Sequence, residues 1–213
     1  MEFWTRYGEE ILQRSWEHLV LVGTALMVAI LIGIPLGILI TRYPKFSQSI
    51  LGFANVMQTI PSLALFGILL PIPIIGGIGE KTAIVALVLY SLLPIIRNTF
   101  VGIRSVDPSV REAGRGMGMS DRQILWQVEM PLAMSVILSG VRVATVIGIG
   151  LATIASAIGA GGLGEFIFRG VAIVDNQLIL AGAIPAAIMA LGADWILGWI
   201  ERRLTVKNSK SLC

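Results

Sequence analysis

Cutting this chain at its charged residues leaves long uncharged stretches: Leu19 to Ile40, Phe46 to Gly79, Thr82 to Ile96, Val143 to Gly164 and Asn176 to Ala193. A membrane-crossing helix needs roughly 20 mainly apolar residues, since each rises about 1.5 Å and the hydrocarbon layer is about 30 Å thick. The pattern predicts five spans, over 19–40, 50–72, 81–101, 132–157 and 177–200. The third is the shortest between charges, with 15 residues separating Lys81 from Arg97. Either those two side chains snorkel to opposite surfaces or the helix runs on through Asn98 to Ile103. The first run is too long for a cleaved leader and follows acidic as well as basic residues, so it reads as a retained span. Hydropathy alone therefore predicts an all-α, polytopic membrane protein forming one transmembrane domain over residues 1–213.

Basic residues orient the spans. Arg42, Lys45, Arg97, Arg104, Arg111, Arg115, Arg122, Arg202, Arg203, Lys207 and Lys210 fall on one side, against Arg6, Arg14, Lys81 and Arg169 on the other. Short loops rich in Lys and Arg stay cytoplasmic, so the N-terminus is expected outside and the C-terminus inside. Composition agrees with a membrane chain: 55% of the residues are hydrophobic and 14% charged, against about 25% charged in soluble domains. The net charge of +3 describes loop asymmetry. It does not form the basic, aromatic-interleaved surface of a nucleic-acid binder.

Several chemistries drop out. His18 is the only histidine and Cys213 the only cysteine, too few for an internal disulfide, a metal site or a thiol–imidazole pair. No G-x-x-x-x-G-K-[ST] loop is present, so nucleotide hydrolysis is not expected of this chain, and no catalytic residue is assigned. His18 beside Trp16 reads as a membrane edge. Gly159, Gly161 and Gly164 spell the G-x-G-x-x-G of a dinucleotide-binding turn, but that motif needs a strand before it and a βαβ unit around it. Residues 131–158 are too long and apolar for such a strand, so the glycines read as a structural turn at the end of a span.

The long polar loop of residues 102–131 is the informative segment. Asp107 and Pro108 form an N-cap and first helical residue, predicting a short helix to about Arg115. Gly114, Gly116 and Gly118 are expected to break it. Ser120 and Gln123 form a capping box for a second helix with Ile124, Leu125 and Val128 on its apolar side, and Pro131 admits the chain to the fourth span. A helix, a turn and a helix at the membrane surface suit docking against another protein.

Those residues resemble the EAA loop of ABC importer permeases, E-A-A, three residues, G, nine residues, I-x-L-P. Here the matching positions are Glu112, Ala113, Gly114, Gly118, Val128, Met130 and Pro131. Gly114, Val128 and Met130 depart from the pattern by small or apolar exchanges. Residues 55–71, 90–99 and 156–170 further resemble the permease subunits of osmoprotectant importers, which carry glycine betaine, choline, carnitine and related quaternary ammonium compounds. The resemblance implies a type I ABC importer permease in the cytoplasmic membrane of a prokaryote, paired with itself or a similar permease. It also implies two ATPase subunits, which bind the ATP, often with tandem CBS domains, and an extracytoplasmic binding protein. Because the chain ends soon after the fifth span, that receptor is expected to be separate. No cofactor or metal is expected in this chain.

Three groups of residues are candidates for the transport steps. Asn55, Gln58, Thr59 and Ser62 recur at helical spacing on the second span, where Pro61 removes the N–H that would bond Met57 and predicts a kink; they could line a path or hold helices together. By the resemblance, Gly159, Gly161, Gly162, Gly164 and Glu165 belong to an outer gate and receptor face; a plain turn is the alternative. Arg142 and Asp194 are the ionisable residues well inside spans, each costing about 2.5 to 3.5 kcal/mol if left alone at a helix centre. Their depths differ by roughly 6 Å, within an arginine's reach, so a pair is expected unless both snorkel separately. The same architecture carrying an amino acid, its derivative or a sulfur compound is the main alternative, and a non-transport membrane scaffold or sensor the second.

Overall fold

The computed structural model describes residues 2–204, with side chains from residue 7 onward. The described residues form helices and connecting turns, with no strand among them. Helix α1 (Glu2–Arg42) is 41 residues long, about 60 Å at 1.5 Å per residue. The apolar run predicted only its second half. Its first half continues as helix because it packs on the far side of the molecule, where Ile11 joins Phe166, Leu178 and Ala181 in a buried cluster.

The second predicted span is broken in two. Helix α2 (Ser47–Thr59) and helix α3 (Ser62–Leu69) meet at an angle of 104°. The expected kink is thus a full break, and its cause is local: Pro61 disfavours helical backbone at the residue before it. Ile60 accordingly has ψ 129°, and Pro61 itself ψ 136°. Two extended residues in succession end one helix and redirect the next.

Helix α4 (Glu80–Arg104) is the most enclosed of the long helices. It runs through Arg97 and on to Arg104, so the third span lengthens toward its charged end. Helix α5 (Pro108–Gly116) follows, then a single turn α6 (Asp121–Gln123), a π-helical segment Ile124–Glu129, and helix α7 (Met130–Ala155). The last three form one unbroken element from Asp121 to Ile158. Pro131 therefore does not separate the loop's second helix from the fourth span. A wide turn, in which the Met130 N–H donates to the Leu125 carbonyl, relieves the crowding a proline ring imposes on the preceding α-turn. Helix α8 (Gly164–Ile173) and helix α9 (Asn176–Leu204) complete the chain.

Small residues set how close the long helices come. A Cβ on Gly37 of α1 would lie 2.5 Å from Thr99 of α4, and one on Gly140 of α7 would lie 2.6 Å from the Pro94 carbonyl of α4. Between apolar helices in lipid there is no hydrophobic drive to associate, so such close backbone packing supplies the attraction. The core runs along α1, α4 and α7 and includes Ala29, Ala86, Leu87, Ile95, Ile96 and Ala152. Among the described residues four elements are long and apolar enough to cross a membrane, and the bent α2–α3 pair makes a fifth if counted as one span. Large apolar side chains such as Met27, Leu31, Ile188 and Leu191 remain exposed on α1 and α9, as a bilayer or a neighbouring helix requires.

Candidate coupling surface and translocation path

The loop between α4 and α7 is built from local caps. The Ser109 N–H donates to the Asp107 carboxylate at 2.8 Å, closing the N-terminus of α5. Hydrogen bonds from Ser109's backbone and side chain hold that carboxyl below the usual aspartate range. At the other end Gly118 has φ +82°. Its N–H reaches the Arg115 carbonyl at 2.9 Å and the Met119 N–H reaches Gly114 at 3.1 Å, the two bonds of a Schellman stop. Gly118 is thus the residue that ends the helix. Gly114 does not break it: it lies buried inside α5, where an added Cβ would sit 3.3 Å from Met119 Sδ and 3.5 Å from Ile124 Cγ1.

Ser120 and Gln123 close the capping box, with Ser120 N–H to Gln123 Oε1 at 2.8 Å and Gln123 N–H to Ser120 Oγ at 3.3 Å. Glu112, Ala113 and Gly118 are exposed, together with the apolar Val110, Met117 and Trp126. Val128 is half-buried, Met130 buried and Pro131 exposed. Met130 packs with Ile103, Ala133 and Ile137 beneath the loop. A small protruding turn with apolar and acidic side chains, anchored on a helix that continues through the bundle, can transmit a push.

Beneath the turn lies a residue that sequence reasoning passed over. Glu129 is 1% exposed, and its carboxylate meets Arg111 Nε at 3.2 Å and the Arg42 guanidinium. Arg111 also donates to the carbonyls of Ile103 at 2.8 Å and Val106 at 3.0 Å, where α4 ends. Glu129 occupies the free position in the V-E-M-P match, so the motif gave no reason to single it out.

The polar residues of the broken span divide between its halves. Asn55 and Thr59 are exposed and Gln58 half-buried on α2, whereas Ser62 is half-buried at the start of α3, beyond the exposed Pro61. The break means that they do not form one straight stripe. Ala54 is buried, and Gln58, one turn on, shares its face and is half-buried, while Asn55 and Thr59 are turned out; Thr59 satisfies its own hydroxyl on the Val56 carbonyl at 2.8 Å. Tyr90 of α4 donates its hydroxyl to the Ile60 carbonyl, satisfying an acceptor that the break releases from helical bonding.

At the far end, Gly159, Gly161 and Gly162 all have positive φ, near +75° to +78°. The motif follows a helix, not a strand, and its turn is packed against α1. The Gly162 N–H donates to Glu17 at 3.3 Å, and Arg14 joins Glu17 at 2.8 Å and Glu165 at 2.6 Å. Glu165 and Arg169 stand four residues apart on α8, yet each reaches α1: Arg169 meets Glu10 at 3.3 Å. His18 is fully buried here in a helix contact. Its Nε2 lies 3.1 Å from the Ile149 carbonyl, and a Cβ on Gly162 would come within 3.0 Å of its Nδ1. The reason is the length of α1, which carries His18 into a helix contact.

Arg142 holds Asp194 in a two-pronged contact at 2.6 and 2.9 Å and reaches Glu201 at 3.3 Å. Its guanidinium lies over Gly198, one turn from each acid, where an added Cβ would be 3.1 Å away. Bidentate geometry makes this a strong form of ion pair. Among the described residues no group of three His, Cys, Asp or Glu is arranged to hold a metal ion. Cys213, Lys207 and Lys210 lie outside the described residues.

Residues 19–206 match the family described as the binding-protein-dependent transport system inner membrane component. The chain belongs to that family. It is the membrane permease subunit of an ABC importer, and its location is the inner membrane. Among its relatives, the carnitine transport permease protein OpuCB of Listeria monocytogenes is 46% identical over 205 residues, covering 96% of this chain and 93% of that protein. The glycine betaine/carnitine/choline transport system permease protein OpuCD of Bacillus subtilis is 46% identical over 210 residues, covering 98% and 90%. In fold, the chain superposes on inward-facing structures of the MetNI methionine ABC transporter with a TM-score of 0.82 at 24% identity, over 92% of this chain and 97% of that one. This is the type I ABC permease fold.

Proposed function

We propose that this permease carries osmoprotectants of the quaternary ammonium class, glycine betaine, choline or carnitine among them. The observation that carries the reading is the 46% identity, over nearly the full chain, to permeases named for those solutes. The chain pairs with a second permease, itself or a similar one, and each partner docks one ATPase subunit that binds the ATP. A separate extracytoplasmic protein delivers the substrate, with the N-terminus outside and the loop end inside. Closure of the ATPases pushes on the turn at Met117 and Gly118, and the unbroken α6–α7 element passes the movement into the bundle. The α2–α3 break with Asn55, Gln58, Thr59 and Ser62 lines a path of low affinity, and the Gly159–Gly164 turn with Glu165 meets the receptor.

The test is to purify the complex with the ATPase and receptor encoded beside it and to screen the receptor against quaternary ammonium compounds, amino acids and sulfur compounds. Binding of the first class alone is expected; a receptor that takes only an amino acid or sulfur compound overturns the substrate reading. In a Cys213→Ser background, cysteines replacing Ser47 and Ser120 label only from inside and one replacing Asn176 only from outside. Outside labelling at position 120 overturns the coupling role of the loop.

A further inference from the structure

We infer that Glu129 is a positioning residue through which the movement of α5 reaches the spans, an inference that rests on the coupling role proposed above. Four pieces of chain converge on its buried carboxylate. Arg42 is the last residue of α1, Arg111 belongs to α5, and Glu129 itself stands at the head of α7. Arg111 adds α4, because its guanidinium also bonds carbonyls at that helix's C-terminus. The apolar contacts of Met130 with Ile103, Ala133 and Ile137 join α4 to α7, and Ile124 carries apolar packing from that element to Gly114 of α5. The Glu129–Arg111 ion pair, 3.2 Å between Nε and Oε1, adds an ionic link from the docking helix to the bundle.

Physical cost argues that the carboxylate is there for more than bulk. A carboxylate with 1% exposure loses nearly all its hydration, and a well-packed apolar residue would serve stability equally well or better. What an apolar residue cannot supply is charge contact with two guanidinium groups at once, one of them hydrogen-bonded. The arginines keep part of their exposure, 35% for Arg42 and 25% for Arg111. Arg42, the more exposed, can exchange the carboxylate for water as the loop moves, whereas the Arg111 Nε that faces Glu129 is buried and depends on that carboxylate for its counter-charge. The π-helical turn that ends at Glu129 adds to this placement. One extra residue in a turn offsets the faces on its two sides by about 100°, so Ile124 packs under α5 while Met130 packs on α4.

The experiment compares Glu129→Gln, Glu129→Asp, Arg111→Gln and the Glu129→Gln/Arg111→Gln double variant in the assembled complex, reconstituted in vesicles with the receptor. The readout is substrate imported per ATP hydrolysed. Glu129→Gln is expected to lower that ratio about tenfold, inside the usual range of coupling between sites. Glu129→Asp, which keeps the charge, recovers most of it. The double variant is no worse than the worse single one, because both break the same link. Import and hydrolysis falling in parallel at an unchanged ratio in Glu129→Gln would overturn the inference, as would additive losses in the double variant. If Glu129→Gln fails to accumulate, Arg111→Gln, which removes the α5 end of the link and leaves Arg42 on the carboxylate, decides by the same ratio. If the wild-type complex hydrolyses ATP in response to a receptor loaded with some other solute, the substrate reading fails, and the Glu129 comparison proceeds on that solute.

Discussion

The turn at Gly118 and the turn from Gly159 to Gly164 use the same residue type under opposite conditions. Gly118 has φ +82° and open space around it, with nothing within 4 Å of an added Cβ. Gly164 lacks a positive φ, but its added Cβ would stand 2.0 Å from the Thr153 carbonyl and 2.3 Å from Ser156 Oγ. One glycine is needed for the path of the chain, the other for the space it leaves. A turn whose tip has open space around it stands clear of the bundle and can be received by a partner. A turn pressed between α7 and α1 moves only if those helices move, which suits a gate.

Gly164→Ala should therefore have the largest effect on stability. Its methyl meets backbone, which cannot step aside as a side chain would, and overpacking of this kind costs about 1 to 3 kcal/mol or more. Thermal unfolding of the purified protein is expected to shift down by several degrees, with less folded protein recovered from membranes. Gly118→Val should do less to stability, about 1 to 2 kcal/mol for a β-branched residue held in left-handed backbone. Membrane abundance is then kept while co-purification of the ATPase and receptor-stimulated hydrolysis are lost. If Gly118→Val unfolds the protein and Gly164→Ala does not, the contrast between the two turns is wrong.

Legibility in the sequence followed the range of the interactions. The loop between α4 and α7 could be read because its caps are local, Asp107 with Ser109 and Ser120 with Gln123. The start of α1 could not, because residues before Leu19 stay helical through contacts with α8 that lie about 150 positions away in the chain, such as Arg14 with Glu165. Hydropathy has no view of those contacts. For the same reason the burial of His18 was not legible. At the second span Pro61 announced a disturbance, but its size depended on two successive extended residues and on the Tyr90 hydroxyl that satisfies Ile60 from another helix. Depth in the membrane suggested pairing Arg142 with Asp194, yet said nothing of Glu201, which reaches the same guanidinium from two turns further along α9. Glu129 was hidden differently, standing where the family pattern allows any residue.

The smallest expected effect concerns the caps of the exposed turn and sharpens the same contrast. Asp107 accepts the Ser109 N–H in its charged form, and its pKa in the folded chain lies below that of a free aspartate. The sign follows directly: the cap stabilises α5 above the unfolded pKa, about pH 4, and its contribution is lost as pH falls through the lower folded value. Asn offers the same acceptor oxygen and is an equally good N-cap, without a proton to gain. In hydrogen exchange of the full chain, amides of residues 109–113 in Asp107→Asn should show wild-type protection factors near pH 7. Below about pH 4 the wild type should lose protection there and the variant should not. The Gly159–Gly164 turn, held by packing, should keep its protection in both proteins. Equal loss in wild type and variant would mean that α5 is secured by Arg111 and Gly114 beneath it and that its N-cap contributes nothing measurable.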